Sequence, residues 1–243
     1  MKPFKLLCLS AALLVSPSLW ADDASDLAVK QLQHDWAINN YQLSGDEQEK
    51  AFVKLLKLAD ESVKSHPQST GVRIWHGIIN STYAGVSGGL GALKYAKRAR
   101  SDFEQALKQD PTALKGSAYT SLGVLYYKVP GWPLGFGDDD KAEELLKQAL
   151  ELNPDGIDSN YFYGDFLLEE DRYDEALPFL QKALEAAPRP GRELADAGRK
   201  QEIKAALAKI AAYRDNSCSK PVVRSGTSAA KTCQSQFQTA STI

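Results

Sequence analysis

Few residues in this chain are of types and spacings that could do chemistry. Its three histidines, His34, His66 and His76, fall on three separate segments. None stands in a Ser-His-Asp, Cys-His or HExxH arrangement, so neither nucleophilic catalysis nor a zinc site is indicated. Asp138-Asp139-Asp140 could attract calcium, but the run lacks the alternating ligands and distant glutamate of a calcium loop. Carboxylates at the start of a helix cap free N–H groups, and that is their expected role here. Ser87-Gly88-Gly89-Leu90-Gly91 runs toward a helix start and could cradle an anion. No strand precedes it and no Lys-Ser/Thr pair follows, so a nucleotide loop is not supported, and a flexible turn is expected. No cofactor and no metal is implied, and no enzyme activity is expected.

Two aromatic residues carry more weight. Trp132 and Phe136 sit in Val129-Pro130-Gly131-Trp132-Pro133-Leu134-Gly135-Phe136-Gly137, a stretch that cannot be helix. Exposed, they would form an apolar patch for a partner; folded back, they would pack on a neighbouring turn.

The elements that must position these residues are helices. Apolar residues recur at steps of three and four over Ala24–Tyr41, Glu47–Ser65, Gly71–Tyr83, Ala92–Gln109 and onward to Glu193–Tyr213. Four prolines, Pro67, Pro111, Pro154 and Pro188, close successive helix pairs at steps of 44, 43 and 34 residues. Five residues before the last three stand Ala106, Ala149 and Ala183. Twelve before stand Ala99, Ala142 and Ala176, and eight before stand Phe103, Leu146 and Leu180. Gly77, Gly123 and Gly164 hold equivalent places on the first helices. Small residues there let the two helices of a pair approach closely. A lone pair of this size cannot bury its apolar face, so the pairs must stack.

This pattern resembles the tetratricopeptide repeat over about residues 24–188, carried by Gly164, Ala176, Leu180, Ala183, Pro188 and their counterparts. The resemblance implies an all-α, right-handed α-solenoid of about four helix pairs with Glu193–Tyr213 as a capping helix. It also implies a concave groove for a protein or peptide partner. By position its walls are Ile74, Ile78 and Thr82; Thr120, Val124 and Tyr127; and Tyr161, Asp165 and Glu169. The last helix could fill that groove instead. Repeats two and three exceed the usual 34 residues, and the excess is expected as inserted turns at Ser81–Leu93 and Val129–Gly137, side by side on one face. Secreted proteins with such insertions look like the T component associated with tripartite substrate-binding-protein-dependent transporters. That likeness implies an alternative role as a ligand-binding accessory of a solute transport system, holding a small apolar molecule.

The ends point to export. Lys2 and Lys5 precede a ten-residue apolar run, Leu6–Val15, too short to span a bilayer, and small residues lead to Ala21. Residues 1–21 read as a signal peptide cleaved after Ala21 (a short membrane-anchored helix being the alternative), leaving no stable transmembrane segment. The solenoid then occupies 22–214, and a polar tail spans 215–243. Cys218 and Cys233 in that tail would pair in an oxidising compartment. With 29 Lys+Arg against 31 Asp+Glu, no basic field suggests nucleic acid. The expectation is a periplasmic, non-enzymatic scaffold for protein–protein interaction.

Overall fold

The computed structural model describes residues 18–219, with side chains from Ala24 to Asn216 apart from Leu90. Among them the secondary structure is entirely helical: α1 (Ser18–Tyr41), α2 (Gly45–Ser65), α3 (Thr70–Ser87), α4 (Gly89–Gln109), α5 (Ala113–Lys128), α6 (Asp139–Leu152), α7 (Ile157–Glu169), α8 (Tyr173–Glu185) and α9 (Glu193–Ser219). None of these helices is long and apolar enough to cross a membrane. The signal-peptide positions 1–17 and Cys233 lie outside the described residues, and with Cys233 the expected Cys218–Cys233 pair.

The spacing of small and bulky residues explains the packing. The even-numbered helices bury one stripe: Ala99, Phe103 and Ala106 on α4, Ala142, Leu146 and Ala149 on α6, Ala176, Leu180 and Ala183 on α8, all fully buried. A methyl group on Gly77 would stand 2.5 Å from Phe103, one on Gly123 2.8 Å from Leu146, and one on Gly164 2.8 Å from Leu180. Each bulky residue therefore seats on the glycine of its own pair. Four pairs, α1/α2 to α7/α8, stack into an α-solenoid, and α9 packs on α7 and α8 as a ninth helix.

One expected insertion is corrected, and with it the placing of two inserted turns side by side; the other is observed. Residues 81–93 do not form an inserted loop. Helix α3 continues to Ser87, Gly88 alone makes the turn, and α4 starts at Gly89. Tyr83 and Ala84 are buried, and Val86, Ala92 and Tyr95 pack against the core, so burial favours helix over the glycine-rich turn. The excess residues of repeat two lengthen its helices. In repeat three the excess is divided. Leu114, Lys115 and Gly116 form a left-handed turn at the start of α5, with φ of 48°, 56° and 75°. This absorbs the two extra residues between Pro111 and Gly123. The remainder is the loop 129–137.

The other end also differs from expectation. Helix α9 continues past Tyr213 to Ser219. Tyr213 stacks on Tyr173, with ring centroids 4.0 Å apart, and Arg214 pairs with Asp174 at 2.6 Å. These contacts carry the helix beyond the last buried apolar residue, Ile210.

Candidate docking surfaces

The inner side of the stack is made by α1, α3, α5, α7 and α9, each touching the next, and α9 returns to touch α1. The last helix thus closes the inner side into a ring. A methyl on Gly198 of α9 would stand 2.3 Å from the Tyr41 ring of α1. The Tyr41 hydroxyl donates to Glu202 at 3.5 Å, and Ala195 is buried with Val29, Leu32 and Trp36.

Charge holds this closure together. Asp158 of α7 accepts from Arg189 at 2.6 Å and from Arg199 at 2.9 Å. Arg199 also pairs with Glu202 at 2.5 Å and lies over the Tyr161 and Phe162 rings, 4.5 and 4.3 Å from their centroids. Arg189 pairs with Asp196 at 2.7 Å. Burial alone would raise the Asp158 carboxyl, but Arg199 and Arg189 overcome it and hold it at about 2. Burial opposes the Arg199 charge too, and Asp158 outweighs it, so the guanidinium is held above its ordinary value. Arg192 forms no ion pair among the described residues, and Asp158 and Asp196 act on it only at longer range. It lies 5.0 Å over the Trp75 ring, and burial, then Arg189 beside it, lower its affinity for a proton.

The positions inferred for the groove fall into four groups. Ile74 is fully buried with Ala106 and Ala118, and Thr120 is buried, so neither offers surface. Ile78 and Val124 are half-buried, and Thr82 accepts from the Trp36 indole at 2.9 Å. Tyr127, Asp165 and Glu169 come together. The Tyr127 hydroxyl donates to Asp165 at 2.8 Å, and Lys128 bridges Asp165 at 3.0 Å and Glu169 at 3.2 Å. Burial, then Asp165, push the Tyr127 hydroxyl well above its usual range. Tyr161 is covered by Arg199. The groove-facing tyrosines are therefore engaged by the chain's own charges.

The outer side is different. Loop 129–137 is tied to itself and to α5. Gly137 N–H donates to the Pro130 carbonyl at 3.0 Å, Leu134 and Gly135 N–H donate to Gly131 at 3.1 and 3.0 Å, and Asp138 N–H donates to Tyr126 at 3.0 Å. Phe136 is half-buried, edge-on to Tyr126 at 5.8 Å, with the Arg100 guanidinium of α4 5.0 Å from its centroid. Trp132 is 89% exposed and Leu134 74%. Of the two aromatic residues singled out from the sequence, one anchors the loop and the other stands clear of it. Between loop and α4 lies a groove of about 300 Å³, lined by Lys97, Arg100, Ser101 and Glu104 on one side and by Pro133 to Phe136 on the other.

Two of the polar residues considered for chemistry, His76 and Asp138, have structural partners. His76 is buried, with Nδ1 2.6 Å from Asp102 and Nε2 2.9 Å from Asp60, which pins α2, α3 and α4 together. Asp138 accepts from Lys141 N–H at 3.0 Å and caps α6. Among the described residues no group of three His, Cys, Asp or Glu side chains could hold a metal ion.

Residues 134–210 match the family model for the tetratricopeptide repeat. A thermophilic tetratricopeptide protein of Thermus thermophilus superposes with a TM-score of 0.50 at 22% identity, covering 79% of this chain and 94% of that one. The fold is a tetratricopeptide-type solenoid. MamA from AMB-1 (17% identity, TM-score 0.42, 84% and 96% covered) and YrrB, described as having an unusual peptide-binding site (18%, 0.39, 80% and 89%), are more distant. No curated protein sequence matches.

Sequence reasoning missed Arg189, Arg192, Arg199 and Glu202 as groove-closing residues, and Lys97, Arg100 and Leu134 as the outer groove. The second set left a trace, since Lys97, Arg100 and Glu104 are spaced three and four apart on one helix face.

Proposed function

We propose that this protein is an exported, non-enzymatic scaffold that docks a protein partner in the periplasm. Its docking surface is the ridge made by loop 129–137 and α4. The observation that carries this reading is Trp132 at 89% exposure on a loop fixed by its own hydrogen bonds and by the Phe136 anchor. A rigid exposed tryptophan is the residue type that most often dominates a protein interface, because it binds large area at little ordering cost. Stacked-repeat proteins commonly bind partners on the concave face. Here α9 occupies that side, which favours the ridge over the inner groove. Export rests on Lys2, Lys5 and the apolar run ending before Ala21. It supplies the oxidising compartment in which Cys218, near the end of α9, would pair with Cys233.

Two measurements test this. A photo-crosslinking amino acid in place of Trp132 is expected to yield one discrete adduct in cells, and one in place of Glu169 none. An adduct only from the Glu169 position would move the site to the concave face, and none from either would sink the scaffold reading. Residues 1–23 fused to alkaline phosphatase should give active enzyme; an inactive, cytoplasmic fusion would remove the export claim.

A further inference from the structure

We propose that the groove between loop 129–137 and α4 receives a protein segment in which carboxylates are followed by apolar side chains. This rests on the ridge being the docking surface and adds the chemistry of its partner. The groove has two unlike walls. On the α4 wall, Lys97 is exposed and makes no ion pair among the described residues. Arg100 uses its Nε toward Glu104 at 2.7 Å, and its terminal nitrogens make no hydrogen bond among the described residues. Its ring contacts with Phe136 and Tyr126 hold the guanidinium in place. A fixed fork with free N–H groups suits a carboxylate, because two parallel charge-assisted bonds can form without further ordering. Glu104 is the one acid among the lining residues, and Arg100 already engages it. The balance left to a ligand is therefore cationic.

The opposite wall is apolar: Pro133, Leu134 and Phe136 line it, and Trp132 stands next to it on the loop. A segment bearing carboxylates toward α4 and bulky apolar groups toward the loop satisfies both walls at once. A lipid surface is the weaker occupant. Pro133, Leu134 and Phe136 line a groove that faces the α4 side chains, and a flat bilayer could reach the exposed Trp132 without filling that groove.

The test uses the full mature chain and three labelled hexapeptides in fluorescence anisotropy: Gly-Asp-Asp-Leu-Phe-Gly, Gly-Lys-Lys-Leu-Phe-Gly and Gly-Asp-Asp-Ser-Ser-Gly. The first is expected to bind about tenfold or more tightly than either control. Lys97→Glu, an exposed change, should weaken the acidic–apolar probe by about tenfold and strengthen the basic one. Trp132→Ala should weaken both. Equal binding of all three probes overturns the proposal, as does an acidic–apolar affinity that ignores Lys97→Glu. A Trp132 fluorescence change only with phosphatidylcholine or phosphatidylglycerol vesicles overturns it in favour of a membrane. An adduct at position 132 together with no binding of the acidic–apolar probe would leave the scaffold reading standing and remove this one alone.

Discussion

The seam where α9 meets α1 and α7 and the ridge formed by loop 129–137 use similar residue types to opposite ends. Both combine arginines with aromatic rings. At the seam, Arg189 and Arg199 are matched to Asp158, Asp196 and Glu202, and Tyr41, Tyr161 and Phe162 are covered. On the ridge, Arg100 has one carboxylate partner, Lys97 has none among the described residues, and Trp132 is almost fully exposed. Matched charges under cover hold a fold together, and unmatched ones beside exposed apolar surface are available to a second molecule. Helix α9 closes the inner side of this solenoid against α1, and the recognition surface proposed above lies on its outer edge.

Breaking the seam should cost the most. Asp158→Asn leaves Arg199 and Arg189 short of their shared carboxylate, and we expect a loss of about 3 kcal/mol in chemical denaturation. The same carboxyl gives the contrast a pH signature. Its folded value of about 2 lies below the ordinary 3.8. Its contribution is therefore complete above about pH 4 and fades as pH falls toward about 2, and the variant should lack that acid-dependent limb. A variant with wild-type stability would mean that the seam is loosely held. The next effect should come from Gly198→Ala, whose methyl would collide with the Tyr41 ring at 2.3 Å. We expect about 2 kcal/mol of destabilisation and faster amide exchange in α9 and the end of α1, with α4 to α6 unaffected.

The two insertions show what the sequence could and could not convey. Pro130 and Pro133 forbid helix on local grounds, so loop 129–137 was legible. The glycines from Gly85 to Gly91 only weaken a helix, and burial of Tyr83 and Ala84 offsets that weakness, so the composition misled. The small-residue pattern at Gly77, Gly123, Gly164 and the paired alanines was readable because each position answers to one close contact. The closure of α9 on α1 left no such mark. It depends on small rotations summed over four pairs, and its ties join residues far apart, as Asp158 and Arg199 are. Gly88→Ala tests the corrected turn. The backbone there has φ 57° and ψ −167°, a conformation nearly confined to glycine, so about 1 kcal/mol should be lost. No change would mean that a longer, adaptable turn joins α3 and α4.

The smallest expected effect on stability is the most informative about the ridge. Trp132 is 89% exposed, and its ring makes none of the aromatic contacts that hold the loop, which pass through Phe136 to Tyr126 and Arg100. Trp132→Ala should therefore shift unfolding by no more than about 0.5 kcal/mol. Partner binding should weaken by about 2 kcal/mol or more, the cost of removing a central tryptophan from an interface. Phe136→Ala should behave in the opposite sense, lowering stability first and binding through the loss of loop order. If Trp132→Ala instead destabilised the fold as much as Asp158→Asn, the ring would be packing against the chain and not awaiting a partner. The distinction between seam and ridge would then collapse. A stable variant that has lost its partner would place stability and recognition on opposite sides of the same solenoid.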